Sequence, residues 1–437
     1  MSSMLQEEES SEASIIYKVL TEHLHTHRSE ILEIEILPSN FPALGNRPIL
    51  HDGTSLAISK GNLVKAFVVA RRVFFDASSL PAKVNPQEEQ SHAHQLAATR
   101  ILLLFDPEHL TAANFCKQYL FALQKSILSS SSPPTPAEGS EHQSSILVSV
   151  VHDELSFLSS LLTSPLARHT KSPTLWYHRF WVLQNFYAEI RAGCSNGAGR
   201  GSRTGFQKTE LCRAQQEEIL ASELDLVMKA GEKHPKNYYA WLYARRLFSF
   251  LNSQSLNPVH AVSTRIITKI HTWSLSHPSD TSGWSYMLYL LSFSPFAPSY
   301  HFIPASSTPI SSSPSISQNI SMTHQTINLL CTFHWSYDSI WAFFRTVLAS
   351  KAYLPEPVRR DILTRIVAEG KEEDVRVKKR EQNIDHEHKD GDGKDVDDAT
   401  TEAMNRNRMI MMKRALRWIE EHWEPESQPE SEQQAPA

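Results

Sequence analysis

One short frame built around tryptophan recurs along this chain, and recurrence limits the fold more than any single composition figure does. Its clearest copy is His234-Pro235-Lys236-Asn237-Tyr238-Tyr239-Ala240-Trp241-Leu242-Tyr243-Ala244-Arg245-Arg246. His277-Pro278-Ser279-Asp280-Thr281-Ser282-Gly283-Trp284 repeats the His-Pro opening and the interval of six from Pro to Trp. Lys171-Ser172-Pro173-Thr174-Leu175-Trp176-Tyr177-His178-Arg179-Phe180-Trp181 and Tyr337-Asp338-Ser339-Ile340-Trp341-Ala342-Phe343-Phe344-Arg345 carry the same tail. The residue before a proline avoids the α region, so His-Pro closes one helix. Asn237 then caps or turns, and Tyr238, Trp241 and Ala244/Arg245 share one face of the next helix. That pattern predicts stacked helical hairpins wedged by indoles, an architecture that presents binding surfaces more often than catalytic centres.

The distances between copies test this. Successive tryptophans at 176, 241, 284 and 341 lie 65, 43 and 57 residues apart. Hairpin repeats run to about 34–47 residues, so the longer intervals must hold insertions. Ser/Gly/Pro-rich stretches at 129–140, 194–204 and 292–317 supply them and read as surface loops. Upstream, Asp106-Pro107 ends an apolar helix, and Pro107 is suited to open the next. The position six beyond it is Ala113, so any copy there is degenerate. First helices of the hairpins fall near 146–162, 218–228 and 261–273 by apolar spacing.

Outside the repeat block of 87–369, the N-terminal 1–86 reads as a helix near 12–30, an extended run from Ile31 to Leu37, a loop from Pro38 to Gly53, and a helix near 60–75. Residues 370–400 mix both charges without apolar period and read as a disordered or weakly helical linker. Met409, Met412, Leu416, Ile419 and Trp423 step by three and four, so 401–424 reads as a helix that docks on the array. The last stretch, 425–437, reads as a disordered tail. With 41% hydrophobic residues the chain can bury a core, and a net charge of -5 gives no basic footprint for nucleic acid. The acidic start, Glu7-Glu8-Glu9, predicts neither secretory nor mitochondrial targeting. Leu63–Phe75 is interrupted by Lys65, Arg71 and Arg72, so stable membrane insertion is not expected. Cys116, Cys194, Cys212 and Cys331 lack CxxC spacing and read as reduced thiols of a cytosolic or nuclear protein, and a cytoplasmic one is expected. The ending Gln433-Gln434-Ala435-Pro436-Ala437 has no cysteine to prenylate.

The string Trp176-Tyr177-His178-Arg179-Phe180-Trp181, with Lys236-Asn237-Tyr238 ahead of Trp241, resembles the repeat of protein prenyltransferase α subunits. The resemblance covers about 95–350, and the N-terminal Glu33–Phe67 is similar to the family's divergent repeat-containing branch. It implies a right-handed αα-superhelix, a solenoid of all-α hairpins that wraps a catalytic β subunit. The chain would then be the non-zinc half of a heterodimeric geranylgeranyltransferase. In such an enzyme β holds zinc and most of the isoprenoid pocket, and the substrate is a protein with a C-terminal cysteine. The repeat-motif residues are Trp176, His178, Arg179, Trp181, Asn237, Tyr238, Trp241, Arg245, Trp284, Trp341 and Arg345.

Family α subunits place a lysine five residues before the repeat tryptophan near the prenyl diphosphate, which matches Lys171 and Lys236 here, with Tyr238 retained beside the latter. Pro173 replaces that tyrosine in the earlier copy, and Tyr239 stands where the family has histidine. A lysine there would offset charge growing on the leaving group.

Histidine groups at 23/25/27 and 92/94 lack a carboxylate or cysteine at zinc spacing, and His386-Glu387-His388 lies in the charged linker, so no metal is expected on this chain. It carries no GxGxxG, P-loop, GxSxG or HExxH motif. A tetratricopeptide-like scaffold unrelated to prenylation, and a Rab- or farnesyl-type α subunit, are the alternatives.

Overall fold

The computed structural model describes residues 2–39, 41, 45, 47–76, 86–130, 139–193, 205–254, 262–293, 314–387 and 396–425. Two units make up the chain, Met1–Leu256 and Asn257–Ala437. That division falls inside the block expected at 87–369, and the N-terminal 1–86 belongs with the first unit.

The first unit opens with α1 (Ser2–Thr26), three short strands and α2 (Lys60–Asp76). The strands β1 (Glu33–Leu37), β2 (Leu50–Asp52) and β3 (Ser55–Ser59) form one sheet in the order β1-β3-β2. β1 runs parallel to β3 with Ile34 beside Leu56 and Ile36 beside Ile58, and β2 runs antiparallel with His51 beside Leu56. Ile34, Leu56 and Ile58 are buried. Gly53 has φ +54 in the two-residue turn between β2 and β3, where a side chain would be strained. The described residues are otherwise mostly helical, consistent with the all-α reading, and the sheet is a small addition to it. The extended run at Ile31–Leu37 corresponds to β1, whereas the expected loop contains β2, and β3 follows it. Strands of three and five residues carry too little period to announce themselves.

Helix pairs follow. α3 (Pro86–Phe105) pairs with α4 (Leu110–Ser130), and α5 (Gly139–Leu162) packs on α7 (Pro173–Asn185) beyond the single turn of α6 (Ala167–Thr170). α8 (Tyr187–Gly193) fills beside α5, and α9 (Gly205–Lys233) pairs with α10 (Tyr238–Ser253). α4 packs on α7 and α7 on α10, so the second helices form a row. Pro107 does not open α4. It lies in a turn where Glu108 N donates to Asp106 Oδ1 at 3.3 Å, and His109 Nδ1 accepts from Ala112 N at 3.1 Å as the working cap.

Among the described residues the window long and apolar enough to draw attention is Ser145–Leu162 of α5. By length and composition that helix could cross a bilayer, yet 61% of it is buried and it packs against α4, α7 and α8. It also holds Asp153 and Glu154 in buried positions, as a core helix with internal polar partners does.

In the second unit α11 (Thr264–Ser276) pairs with α12 (Thr281–Leu291), and α13 (Pro314–Thr332) precedes α14 (Asp338–Ala349). α15 (Glu356–Glu387) packs on α13 and α14, and α16 (Val396–Glu421) packs on α14 and α15. α15 and α16 thus extend the same order of first and second helices. Most of the expected charged linker belongs to α15, because 371–387 has no proline or glycine and is rich in Glu, Lys and Arg, strong helix formers. Fully buried Arg359 ties the end together: Nη1 donates to Leu348 O and Ala349 O at 3.2 and 3.0 Å, and Nη2 to Glu424 O at 2.7 Å. Its guanidinium lies 4.4 Å from the Trp423 ring centroid. The loop expected at 194–204, the centres of those at 129–140 and 292–317, residues 388–395 of the linker, and all but Pro425 of the tail lie outside the described residues.

Candidate functional site

The repeat motif is a hydrogen-bonding device before it is anything else. Trp176 Nε1 donates to Thr170 O at 2.8 Å, and Trp284 Nε1 donates to Pro278 O at 3.2 Å, six residues back in both copies. The second lone pair of each carbonyl is claimed by the following hairpin. Asn237 Nδ2 donates to Thr170 O at 2.8 Å, and Ser339 Oγ donates to Pro278 O. In the degenerate copy, Ser172 Oγ donates to Pro107 O at 3.1 Å, again six residues before the tryptophan position, Ala113. Ser172 and Asn237 also cap their own helices, accepting from Leu175 N at 3.1 Å and Ala240 N at 3.3 Å. One side chain thereby starts its helix and locks it to the hairpin before.

The indoles are wedges, as the spacing requires. Trp176, Trp241, Trp284 and Trp341 are all buried. The Trp176 ring meets Tyr243 at 5.1 Å and the Trp284 ring meets Phe343 at 5.0 Å, each partner two residues beyond the next tryptophan. Tyr238 departs from the expected shared face: it is 62% exposed, and the buried stripe of α10 runs through Trp241, Ala244, Leu247 and Leu251.

Polar residues of the motif point inward. Arg179 makes a bidentate pair with Glu223, Nε and Nη2 each at 2.7 Å, and Nη1 donates to Leu155 O at 2.8 Å and Ser159 Oγ at 3.0 Å. Tyr243 donates its hydroxyl to the same carboxylate at 2.5 Å. Burial opposes the Arg179 charge, but Glu223 more than offsets it and keeps the guanidinium protonated. Burial and the Glu223 charge together push the Tyr243 phenol well up. His178 Nε2 lies 3.0 Å from Glu154 Oε1, both buried. Burial would raise Glu154, yet His178 and Arg100 outweigh it and hold its pKa below the usual value. Cys116 adjoins this group, 3.3 Å from Thr99 Oγ1, and burial with Glu154 pushes its thiol well above its ordinary range. Such a thiol is inert. The sequence reading missed Glu154, Glu223 and Tyr243. In the sequence Glu223 sits among Glu217, Glu218 and Asp225, so only its burial, which demands a cationic partner, sets it apart.

The residues matched to the diphosphate lie apart from this interior. Lys171 and Lys236 are exposed, and Lys171 Nζ reaches Pro235 O at 3.3 Å, which brings its ammonium to the turn that carries Lys236. Lys236 has φ 58, the left-handed region, directly before the cap Asn237. Arg245 is half-buried on α10. Trp181 is half-buried, meeting Phe121 edge-on at 4.9 Å. Arg345 stacks 5.6 Å over Trp418 of α16.

None of Lys171, Lys236 or Tyr238 lines the groove that crosses α4, α7 and α10, a cavity of about 350 Å³. Leu110 and Lys117 form one wall, Pro173, Thr174, Tyr177 and Phe180 the middle, and Tyr239, Leu242 and Arg246 the far wall, over Trp176 and Tyr243. Tyr177 is 53% exposed and Leu110 62%. The Lys117 ammonium sits 5.1 Å from the Tyr177 centroid and 5.8 Å from that of Trp181. Burial lowers its pKa.

Among the described residues no group of three or more His, Cys, Asp or Glu is placed to hold a metal ion. His23 does pack against His27 and against His51 of β2, with centroids 4.6 and 4.9 Å apart. His92 is buried while His94 is exposed. The side chains of His386 and His388 lie outside the described residues.

Residues 151–186, from α5 through α7, match the family described as Protein prenyltransferase alpha subunit repeat. Residues 206–302 match the ECM9 middle domain. Among curated proteins the chain is 31% identical over 128 residues to Protein prenyltransferase alpha subunit repeat-containing protein 1 of Danio rerio, covering 29% of this chain and 27% of that one. It is 31% identical over 126 residues to the protein of the same name from Homo sapiens, 29% of each. It is also 27% identical over 126 residues to Protein prenyltransferase alpha subunit repeat-containing protein 1-B of Xenopus laevis, 29% of this chain and 27% of that one. The matched stretch thus spans less than a third of the length of these relatives.

Proposed function

Because the chain carries the protein prenyltransferase α-subunit repeat, we propose that it serves as the α-type, non-zinc half of a heterodimeric protein geranylgeranyltransferase. In this reading the hairpins wind into a right-handed αα-superhelix that receives a catalytic β subunit in the cytoplasm. β holds zinc, and the cysteine thiolate of a substrate protein attacks the lipid carbon there. The observation that carries the reading is where the motif's polar groups go. His178 and Arg179 are committed to Glu154 and Glu223 inside the hairpins, and the Trp176 indole to Thr170 O, which supports a structural role for this copy and leaves the outer surface for a partner. Lys171 and Lys236 remain exposed on neighbouring turns, where an ammonium can neutralise a prenyl diphosphate held at the heterodimer interface.

Affinity purification of the full chain followed by mass spectrometry tests this. The expected result is recovery of a prenyltransferase β subunit and a stable heterodimer on gel filtration after co-expression. In that heterodimer Lys236→Ala weakens lipid-diphosphate affinity or turnover by several-fold. Recovery of chaperones or trafficking scaffolds alone would sink the proposal and favour a tetratricopeptide-like scaffold. A heterodimer untouched by Lys236→Ala would remove Lys236 from the site.

A further inference from the structure

The groove across α4, α7 and α10 combines three properties seldom found together on a solvated face. It is apolar and aromatic, with Leu110, Tyr177, Tyr239 and Leu242 along it. It is cationic at both ends, with Lys117 on α4 and Arg246 on α10. No acidic residue lines it, in a chain whose net charge is -5. Glu108, which touches the lining at Thr174, accepts that hydroxyl's hydrogen bond. Neither Lys117 nor Arg246 has an ion-pair partner among the described residues, and the half-buried Lys117 ammonium rests on aromatic rings alone. Two cations without ion-pair partners beside exposed tyrosines form the complement of an acidic ligand with an apolar side.

We infer that this groove docks an amphipathic helix of the partner subunit, with an acidic side chain near each end and apolar residues between. Packed helix axes lie about 8–10 Å apart, so the two cations, on helices two steps apart in the row, are separated by roughly 16–20 Å. At 1.5 Å per residue that span takes about 11–13 residues, or three turns. The inference rests on the α-subunit reading for the identity of the partner but not for the chemistry of the groove.

The test has two arms, each using the full chain. In the first, the heterodimer with a recombinant prenyltransferase β subunit is titrated by calorimetry, comparing wild type with Lys117→Glu/Arg246→Glu. Expected is at least a tenfold weakening and a reduced salt dependence, with Lys229→Glu, outside the groove, unchanged and far-UV dichroism preserved. In the second arm, a labelled twelve-residue amphipathic helical peptide with terminal glutamates is followed by fluorescence anisotropy. It should bind wild type, lose at least tenfold when its glutamates become lysines, and recover when that lysine peptide meets the doubly reversed chain. Equal binding of both peptides, or a heterodimer indifferent to the charge reversal, overturns the inference. Absence of any heterodimer with intact peptide selectivity overturns only the identity of the partner.

Discussion

Arg179 shows how much of a repeat hangs on one side chain. Its four hydrogen bonds join α7 to both α5 and α9, and the carboxylate it meets also serves Tyr243 on α10. Removing one member of a buried pair strands the other, at a cost of roughly 3–5 kcal/mol, whereas replacing the whole set by apolar groups of similar volume is often near neutral. Arg179→Met and Glu223→Leu are each expected to destabilise the protein by about that much in urea denaturation. Arg179→Met/Glu223→Leu/Tyr243→Phe should cost far less than the singles combined. A single replacement costing under about 1 kcal/mol would show the network to be slack. The chemistry of the surface lysines is insulated from this interior, since neither Lys171 nor Lys236 joins the pair.

Between elements, two contacts decide how the second unit responds to its surroundings. His271 on α11 bonds Thr326 Oγ1 on α13 at 2.8 Å, and burial pushes its pKa down to about 4. An unfolded imidazole titrates near 6.5, so between those values the unfolded chain binds the extra proton. Stability contributed by the neutral ring is complete above about 6.5 and is lost as pH falls towards 4, at a limiting slope of about 1.4 kcal/mol per pH unit. Amide exchange of α11 and α13 should accelerate over that window in wild type, and His271→Gln should flatten the response. Unchanged pH dependence in His271→Gln would exclude this ring as its source. Arg359 acts differently, by covering the last carbonyls of α14 and holding Glu424 O beyond α16. Arg359→Leu is expected to make α16 the earliest-exchanging helix of the unit, with protease nicks at its ends and α11–α12 still protected. Protection of α16 equal to wild type would mean that its apolar face, with Met409, Met412 and Ile419, suffices.

For the molecule as a whole, the hairpin plan was legible because its carriers are rare residues at short, fixed spacing. A tryptophan six residues after a His-Pro stop has few structural uses, and two such copies, with two more that share the tail, leave fewer. The small sheet was not legible, because β2 and β3 are brief and sit in text rich in turn residues. The length of α15 was obscured by charge, which looks alike in a solvated helix and in a linker. At the site, Trp176, Arg179 and Asn237 could be named from the chain, but their partners could not, since Glu223 and the Thr170 carbonyl are brought to them only by packing. Arg246 stands in the quoted motif, but its place opposite Lys117 was not legible, because the two belong to different copies and share a groove only across the row.

The carbonyl six residues before each indole carries a further lesson. Where it receives both its own tryptophan and the neighbour's side chain, two hairpins are aligned by atoms that lie within a few residues of each helix start. Sequence lying elsewhere between copies takes no part in that alignment. The unequal spacing of the tryptophans is therefore no defect of periodicity: the chain can lengthen freely between its joints, provided that no residue is added within one.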